Sequence, residues 1–497
     1  ASSGMAMAHW EIQGWMILIL GWVFVPFYSR SMVYTMPEFL ERRYNPQSRT
    51  ILSVISLVSY VLTKVAVTVY AGGLVFQQVF GIKELWGIDF FWIAAIGLVV
   101  LTALYTIFGG MKSVLYTSVL QTPILLLGSL IILVLGFKEL GGWDEMMRVC
   151  GAVTVNDYGD TMTNLIRSND DANFPWLGAL IGSAIIGFWY WCTDQFIVQR
   201  VLSGKNEKEA RRGTIFGAYL KLLPVFLFLI PGMIAFALHQ KYIGAGGEGF
   251  LPMLANGTAN ADAAFPTLVA KLLPAGVKGL VVCGILAALM SSLASLFNSS
   301  AMLFTIDFYK RFRPETPEKK LVGIGQIATV VIVILGILWI PIMRSVGDVL
   351  YTYLQDVQSV LAPGIAAAFL LGICWKRTSA QGGMWGLIAG MVIGLTRLGA
   401  KVYYSNAGEV ADSTFKYLFY DMNWLFFCGW MFLFCIIVVI VVSLATEAPT
   451  AEKIQGLVFG TATKEQKAAT RASWDHWDII HTAIILAITA AFYWYFW

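Results

Sequence analysis

Apolar runs of membrane length, separated by short charged segments, repeat along this chain from end to end. A bilayer core takes about 20 apolar residues per helix. Segments that meet this length lie near 12–29, 50–80, 90–109, 115–137, 176–198, 213–238, 279–305, 321–343, 347–374, 381–400, 424–445 and 477–497. The pattern predicts a bundle of twelve membrane-crossing helices. The longest polar stretches, near 139–174, 239–275 and 446–475, are too short for a separate catalytic domain. No heptad, low-complexity segment or internal repeat stands out.

Basic residues assign the sides, because short cytoplasmic loops are enriched in Lys and Arg. Arg42, Arg43 and Arg49 share one loop, and Arg200, Lys205, Lys208, Arg211 and Arg212 another. Lys310, Arg311, Arg313, Lys319 and Lys320 form a third, and Lys376 and Arg377 a fourth. They follow one another by four, two and two crossings, all even, so all fall on one side. The loop near 139–174, with Asp144, Glu145, Asp157, Asp160, Asp170 and Asp171, falls on the other. The chain then starts and finishes outside, with "YWYFW" as an aromatic interface anchor.

Composition agrees. Of 497 residues, 58% are hydrophobic and 13% charged, where soluble domains carry roughly 25% charged residues. Mean hydropathy is +0.70. A net charge of +4 gives no sign of a nucleic-acid partner. Of the six cysteines only Cys150 sits in a long loop, so no disulfide framework or metal-binding spacing is visible. The chain has no signal peptide and opens on Ala1 beside a polar membrane segment, so a further N-terminal piece is expected before it.

The informative residues are those the lipid penalises. An ionisable side chain at mid-membrane costs about 2.5–3.5 kcal/mol or more, and Glu11, Lys64, Asp194, Lys221 and Asp356 lie within apolar segments. Lys221 stands about eight residues into its segment, roughly 12 Å deep. Such a lysine can snorkel; a short carboxylate such as Glu11 cannot. Glu11, Lys221 and Gln355 in one cavity would nearly cancel in charge and offer both donors and acceptors. That suits a neutral ligand rich in hydroxyls. Tyr190 and Trp191, within "FWYWCTDQ", add faces that pack on a sugar ring, although aromatic clusters are more often core or interface belt.

Two further segments stand out. "LYTYLQDVQSVLAPGIAAAFLLGICWKR" places Ala362-Pro363-Gly364 mid-segment, which reads as a discontinuous helix or a proline kink. In "SSLASLFNSSAM", serines crowd one helix. Serine in membrane helices often serves packing or bonds its own carbonyl four residues back. Adjacent hydroxyls beside a helix carbonyl also offer oxygens to a small hard cation.

These stretches resemble the sodium/glucose cotransporter branch of the sodium:solute symporters over nearly the whole chain. The motifs are "WVFVPFYSRSMVYTMPEFLERRY", "LYTIFGGMKSVLYT", "FWYWCTDQFIVQRVLSGKN", "YLKLLPVF", "AAFPTLVAKLLPAGVKGL", "SSLASLFNSSAMLFTIDFYK" and "YLQDVQSVLAPGIAAAFLLGICWKR". The resemblance implies an all-α integral membrane protein of leucine-transporter-like fold, with two inverted five-helix repeats plus extra C-terminal helices. Residues 1–138 would be the remainder of the first repeat (four helices, its first core helix absent from this chain). Residues 139–175 would be an extracellular loop, 176–375 the second repeat and 376–497 accessory helices.

The resemblance also implies roles. Glu11, Lys221 and Gln355 match sugar-hydroxyl contacts. Tyr190 matches the aromatic that stacks on the sugar and closes the inner gate, with Trp191 beside it. Trp10 and Tyr351 match the outer gate. Ala288, Ser291 and Ser292 match the sodium site, part of whose ligands the absent helix would supply. The polar residues after "FWYWC" would line a watery inner exit path. Three positions depart from the family pattern. Ser118 stands where Asp is usual, Thr68 replaces an acid found in some members, and Gly187 stands where relatives have Asn or Thr near the sugar.

The expected function is Na⁺-coupled symport of a neutral hexose by alternating access, in a multi-pass cell-membrane protein. A position that helps hold a second sodium in some relatives is Ala294 here, and the acid that accompanies it is Ser118, so one Na⁺ per sugar is expected. Ser295 is the side chain that could substitute. The alternatives are another polyol or acidic sugar (myo-inositol, sialic acid), or a sensor that binds sugar without transporting it. A membrane enzyme is disfavoured, since His9, His239, His476 and His481 form no metal constellation.

Overall fold

The computed structural model describes residues 3–33, 35–254, 257–346, 350–407 and 411–497, apart from the side chains of 105, 107–114, 117, 120, 342–346 and 350–352. Its membrane-length helices are α1 (Gly4–Ser31), α2 (Pro46–Phe80), α3 (Phe90–Leu140), α4 (Trp176–Thr193), α5 (Glu207–Gly244) and α6 (Ala275–Phe312). They continue as α7 (Glu318–Val346), α8 (Leu350–Cys374), α9 (Ala380–Asn406), α10 (Trp424–Ala445) and α11 (His476–Tyr495). A two-stranded ribbon, Glu84–Leu85 with Ile88–Asp89, links α2 to α3.

Helix starts follow local chemistry. Asn45 accepts from the Ser48 amide at 2.8 Å with Pro46 next to it, Asn206 accepts from Glu209 at 2.9 Å, and Asp475 forms a capping box with Asp478. Each satisfies an amide that the first helical turn leaves without a partner.

The segments predicted at 90–109 and 115–137 form one helical run of 51 residues. A straight helix of that length would reach about 76 Å, more than twice the hydrocarbon core. Its contacts show that it doubles back. Phe90 follows the end of α2, where Gln78 borders a cavity with Phe250 and Lys271. At the far end the Leu140 carbonyl accepts from Lys241, next to Tyr242, whose ring meets Phe250. Thr106 instead lies with Phe297 and Thr305, at the opposite end of α6. The run therefore reverses between Thr106 and Ser118 and supplies two arms, the shorter being the apolar Phe90–Leu104. The eleven candidate spans and this shorter helix together correspond to the twelve predicted segments.

The sides also separate by charge. At one end Arg43 Nε donates to the Gly372 carbonyl at 2.7 Å, Arg311 to the Pro46 carbonyl at 2.9 Å, and Arg212 pairs with Asp475 at 2.8 Å. At the other, the acidic loop meets both termini: Met5 N donates to Met162 O at 2.8 Å and Leu165 N to Phe496 O at 3.0 Å.

Of the two readings left open for α8, the discontinuous helix does not form. The helix runs through Pro363 to Cys374. Gly364 faces Gly390 of α9 so closely that a Cβ on Gly390 would stand 2.6 Å from the Gly364 Cα. The Pro-Gly step thus serves close helix packing, as small residues do in membranes. The breaks fall elsewhere. In α1, Ile12 and Gln13 leave helical angles between Ala8–Glu11 and Gly14–Ile19. After α4, Asp194 is extended (φ −80°, ψ 127°), and Gln195–Leu202 starts a new helix.

Candidate functional site

A cavity of about 220 Å³ lies where the break in α1 meets α4, α5 and α8. Glu11, Tyr190, Trp191, Lys221 and Gln355 all border it, and so does Trp10. These residues come from four helices and up to 345 positions apart, yet the sequence reading grouped them.

Lys221 Nζ pairs with Glu11 Oε2 at 2.7 Å, and the two side chains stay 15% and 23% exposed. The same ammonium lies 5.6 Å from the Trp191 ring centroid. Gln355 is buried, and its Oε1 has no hydrogen-bond partner among the described residues. Neither has the indole Nε1 of Trp10. Buried polar groups are nearly always paired, and here two unpaired ones belong to residues that line a single cavity.

Aromatic rings bound the cavity at both ends. On the outer side Trp10 stacks on Trp424 at 5.3 Å and meets Phe174 edge-on at 5.6 Å. His9 anchors this corner: its Nε2 donates to the Leu165 carbonyl at 3.0 Å, so Nδ1 is the acceptor for the Tyr493 hydroxyl at 3.1 Å. On the inner side Tyr190 packs edge-on against Trp191 at 5.0 Å. Residues Phe188–Thr193 form a π-helical turn, a widening often found at functional sites. Tyr28 stabilises it by donating to the Cys192 carbonyl at 2.6 Å. Tyr351, the other expected outer-gate residue, lies outside the described side chains.

Beneath Tyr190 the structure corrects the expected watery path. Asp194, Gln195 and Gln199 are 4%, 1% and 7% exposed. Asp194 forms a buried ion pair with Lys64 and accepts from the Tyr60 hydroxyl at 2.7 Å. The Lys64 ammonium is ringed by Phe196, Tyr190, Tyr60 and Trp189 at 4.4–5.7 Å. Gln195 Oε1 accepts from the Met36 amide at 2.8 Å, and Gln199 donates to Ser299 Oγ at 2.6 Å. These groups are polar because they pair with each other across helices, which sequence spacing does not show.

Ala288, Ser291 and Ser292 share one face of α6, at spacing i, i+3, i+4. They do not border the cavity. Ser291 and Ser118 share a hydrogen bond at 2.6 Å, and Ser295 Oγ donates to the Ser291 carbonyl at 3.0 Å while accepting from Arg200. Ala294 is fully buried. The hydroxyls and the Ala288 carbonyl are the hard oxygen donors that suit a small cation. Among the described residues no group of three or more His, Cys, Asp or Glu could hold a metal ion.

Sequence reasoning missed Gln13, which borders the cavity and is 2% exposed. Its cue was faint: one amide two residues after Glu11.

A profile of the sodium:solute symporter family matches residues 1–390. The sodium/mannose cotransporter of Bos taurus is 36% identical over 504 residues, covering 97% of this chain and 83% of that protein. The sodium/myo-inositol cotransporter 2 of Homo sapiens is 35% identical over 474 residues, covering 93% and 69%. The sodium/glucose cotransporter 4 of Danio rerio is 34% identical over 492 residues, covering 95% and 73%. Among solved structures, a substrate-bound, outward-open Na⁺-coupled sialic acid symporter superposes with TM-score 0.68 at 21% identity, covering 89% of this chain and 84% of that one. That likeness establishes the leucine-transporter-like fold.

Proposed function

This chain belongs to the sodium:solute symporter family, and from that premise we propose that it carries a neutral hexose of the glucose or galactose type with one Na⁺ per sugar. It is a multi-pass membrane protein and a sodium-coupled cotransporter of a sugar or polyol, not an enzyme.

The observation that supports the hexose is the balance of charge in the cavity. Lys221 and Glu11 neutralise each other at 2.7 Å. Gln355 and Trp10 add an acceptor and a donor, and Tyr190 and Trp191 add ring faces. An acidic sugar would instead call for an unpaired guanidinium or a cluster of Ser and Thr, and no arginine, serine or threonine borders the cavity among the described residues.

In this reading Trp10 closes the outer side and Tyr190 the inner side, with residues 1–138 and 176–375 moving as inverted repeats. Ala288, Ser291 and Ser292 bind the co-transported Na⁺. A single ion fits the neighbourhood. Ala294 offers no side-chain oxygen, Ser118 carries no charge, and the substitute Ser295 accepts from the Arg200 guanidinium. A fixed cation there opposes a second mobile one.

The test measures charge moved and labelled hexose taken up in the same cells. One charge per hexose is expected. Two charges per hexose would defeat the stoichiometry. Uptake unchanged when choline replaces Na⁺ would defeat the ion assignment, and Na⁺-dependent uptake of labelled myo-inositol with none of labelled hexose would defeat the substrate.

A further inference from the structure

The break in α1 has a consequence for the cavity. Ile12 and Gln13 leave the helix between Ala8–Glu11 and Gly14–Ile19, and this turns Gln13 toward α4. Its Nε2 donates to the Ser183 carbonyl at 2.9 Å. A carbonyl only accepts, so the atom facing it is the amide nitrogen, and the orientation of the amide is settled. The other end, Oε1, has no hydrogen-bond partner among the described residues.

The amide lies flat against Gly187. A Cβ on that residue would stand 2.5 Å from Gln13 Oε1 and 3.0 Å from its Cδ. Gly187 keeps ordinary helical angles (φ −62°, ψ −41°) where the α-helix passes into the π-helical turn, and glycine within a helix costs about 1 kcal/mol relative to alanine. No turn or positive φ calls for it. What it provides is room for the Gln13 amide, and both residues border the cavity with Glu11, Lys221 and Gln355.

Resting on the hexose-cavity reading above, we infer that Gln13 is a further sugar-binding residue that sets hydroxyl specificity, and that Gly187 is glycine in order to admit it. With Nε2 held by Ser183, Gln13 presents a fixed acceptor to one hydroxyl. A site built to accept from a hydroxyl discriminates strongly against an analogue that lacks it, because the buried acceptor is then left unpaired.

The experiment uses the full chain in cells, with labelled hexose at saturating Na⁺ and a panel of monodeoxy hexoses as competitors. Gln13→Leu should raise the half-saturating hexose concentration about tenfold and erase the wild-type preference at one hydroxyl, leaving the half-saturating Na⁺ at high sugar unchanged. Gly187→Ala should displace the amide and give the same loss, and the double variant should be no worse than Gln13→Leu. Gln13→Met serves where Gln13→Leu does not reach the membrane.

Wild-type affinity and an unchanged deoxy pattern in the Gln13 and Gly187 variants, with Gln355→Ala impaired, overturn this inference and leave the cavity reading intact. Wild-type affinity in all of them, Gln355→Ala included, overturns the cavity reading as well. If the wild type carries an inositol and no hexose, the hexose reading falls, and a deoxy-inositol panel puts the same question to Gln13.

Discussion

Of the lysine–carboxylate pairs inside this membrane bundle, two lie on either side of Tyr190, and they are built differently. Lys221 and Glu11 meet at 2.7 Å in the cavity, with 15% and 23% of their side chains exposed. The side chains of Lys64 and Asp194 are 7% and 2% exposed; Asp194 also accepts from the Tyr60 hydroxyl, and aromatic rings surround the Lys64 ammonium. The first pair keeps lone pairs and protons that a ligand can reach. The second has its charge satisfied by protein, and it holds α2 to the break after α4. Equal chemistry thus serves a binding site where groups stay accessible and a structural lock where they do not.

The sharpest way to break this comparison is to remove one partner of each pair. Lys64→Met or Asp194→Leu leaves a buried charge uncompensated, which costs about 3–5 kcal/mol. Folded protein recovered from the membrane should fall steeply. The double variant Lys64→Met with Asp194→Leu should recover much of it, since apolar replacement of a buried pair is often neutral. Recovery is read by size-exclusion profile and thermal unfolding in detergent. Equal recovery of the singles and the wild type would contradict a structural lock.

The cavity side should respond in function, not folding. Gln355→Ala and Glu11→Ala should each cost about 1–3 kcal/mol of sugar binding, roughly a 5- to 150-fold loss of apparent affinity, with normal amounts of protein at the membrane. Wild-type affinity in both would remove them from the sugar site.

The mildest expected effect lies on α6. Ser292→Ala should raise the Na⁺ needed for half-maximal uptake a few-fold and leave hexose affinity at saturating Na⁺ nearly intact. Linkage then requires sugar to raise Na⁺ affinity by the factor that Na⁺ raises sugar affinity. A loss of sugar affinity with no change in Na⁺ dependence would place Ser292 on the sugar side of the comparison.

Much of the site was legible before any coordinates. Glu11, Lys221 and Gln355 stood out because lipid penalises them, and the family resemblance grouped them with Tyr190 and Trp191. All five border one cavity. The segment after "FWYWC" was misjudged for the same reason that it was noticed. Polarity within an apolar run shows that a partner exists, but not whether that partner is water or Lys64.

The sequence by itself determined the class of the protein, its spans and the side on which its basic loops gather. These follow from local quantities, apolar length and charge per loop, which one bilayer imposes on every segment alike. Only the tertiary structure decided that Pro363 sits in an unbroken helix, that the α1 break turns Gln13 toward Gly187, and that Asp194 belongs to Lys64. Those outcomes depend on which helix faces which across 26 to 174 positions of chain. Packing distance and the pairing of buried polar groups settle such questions, and neither is a property of any single segment.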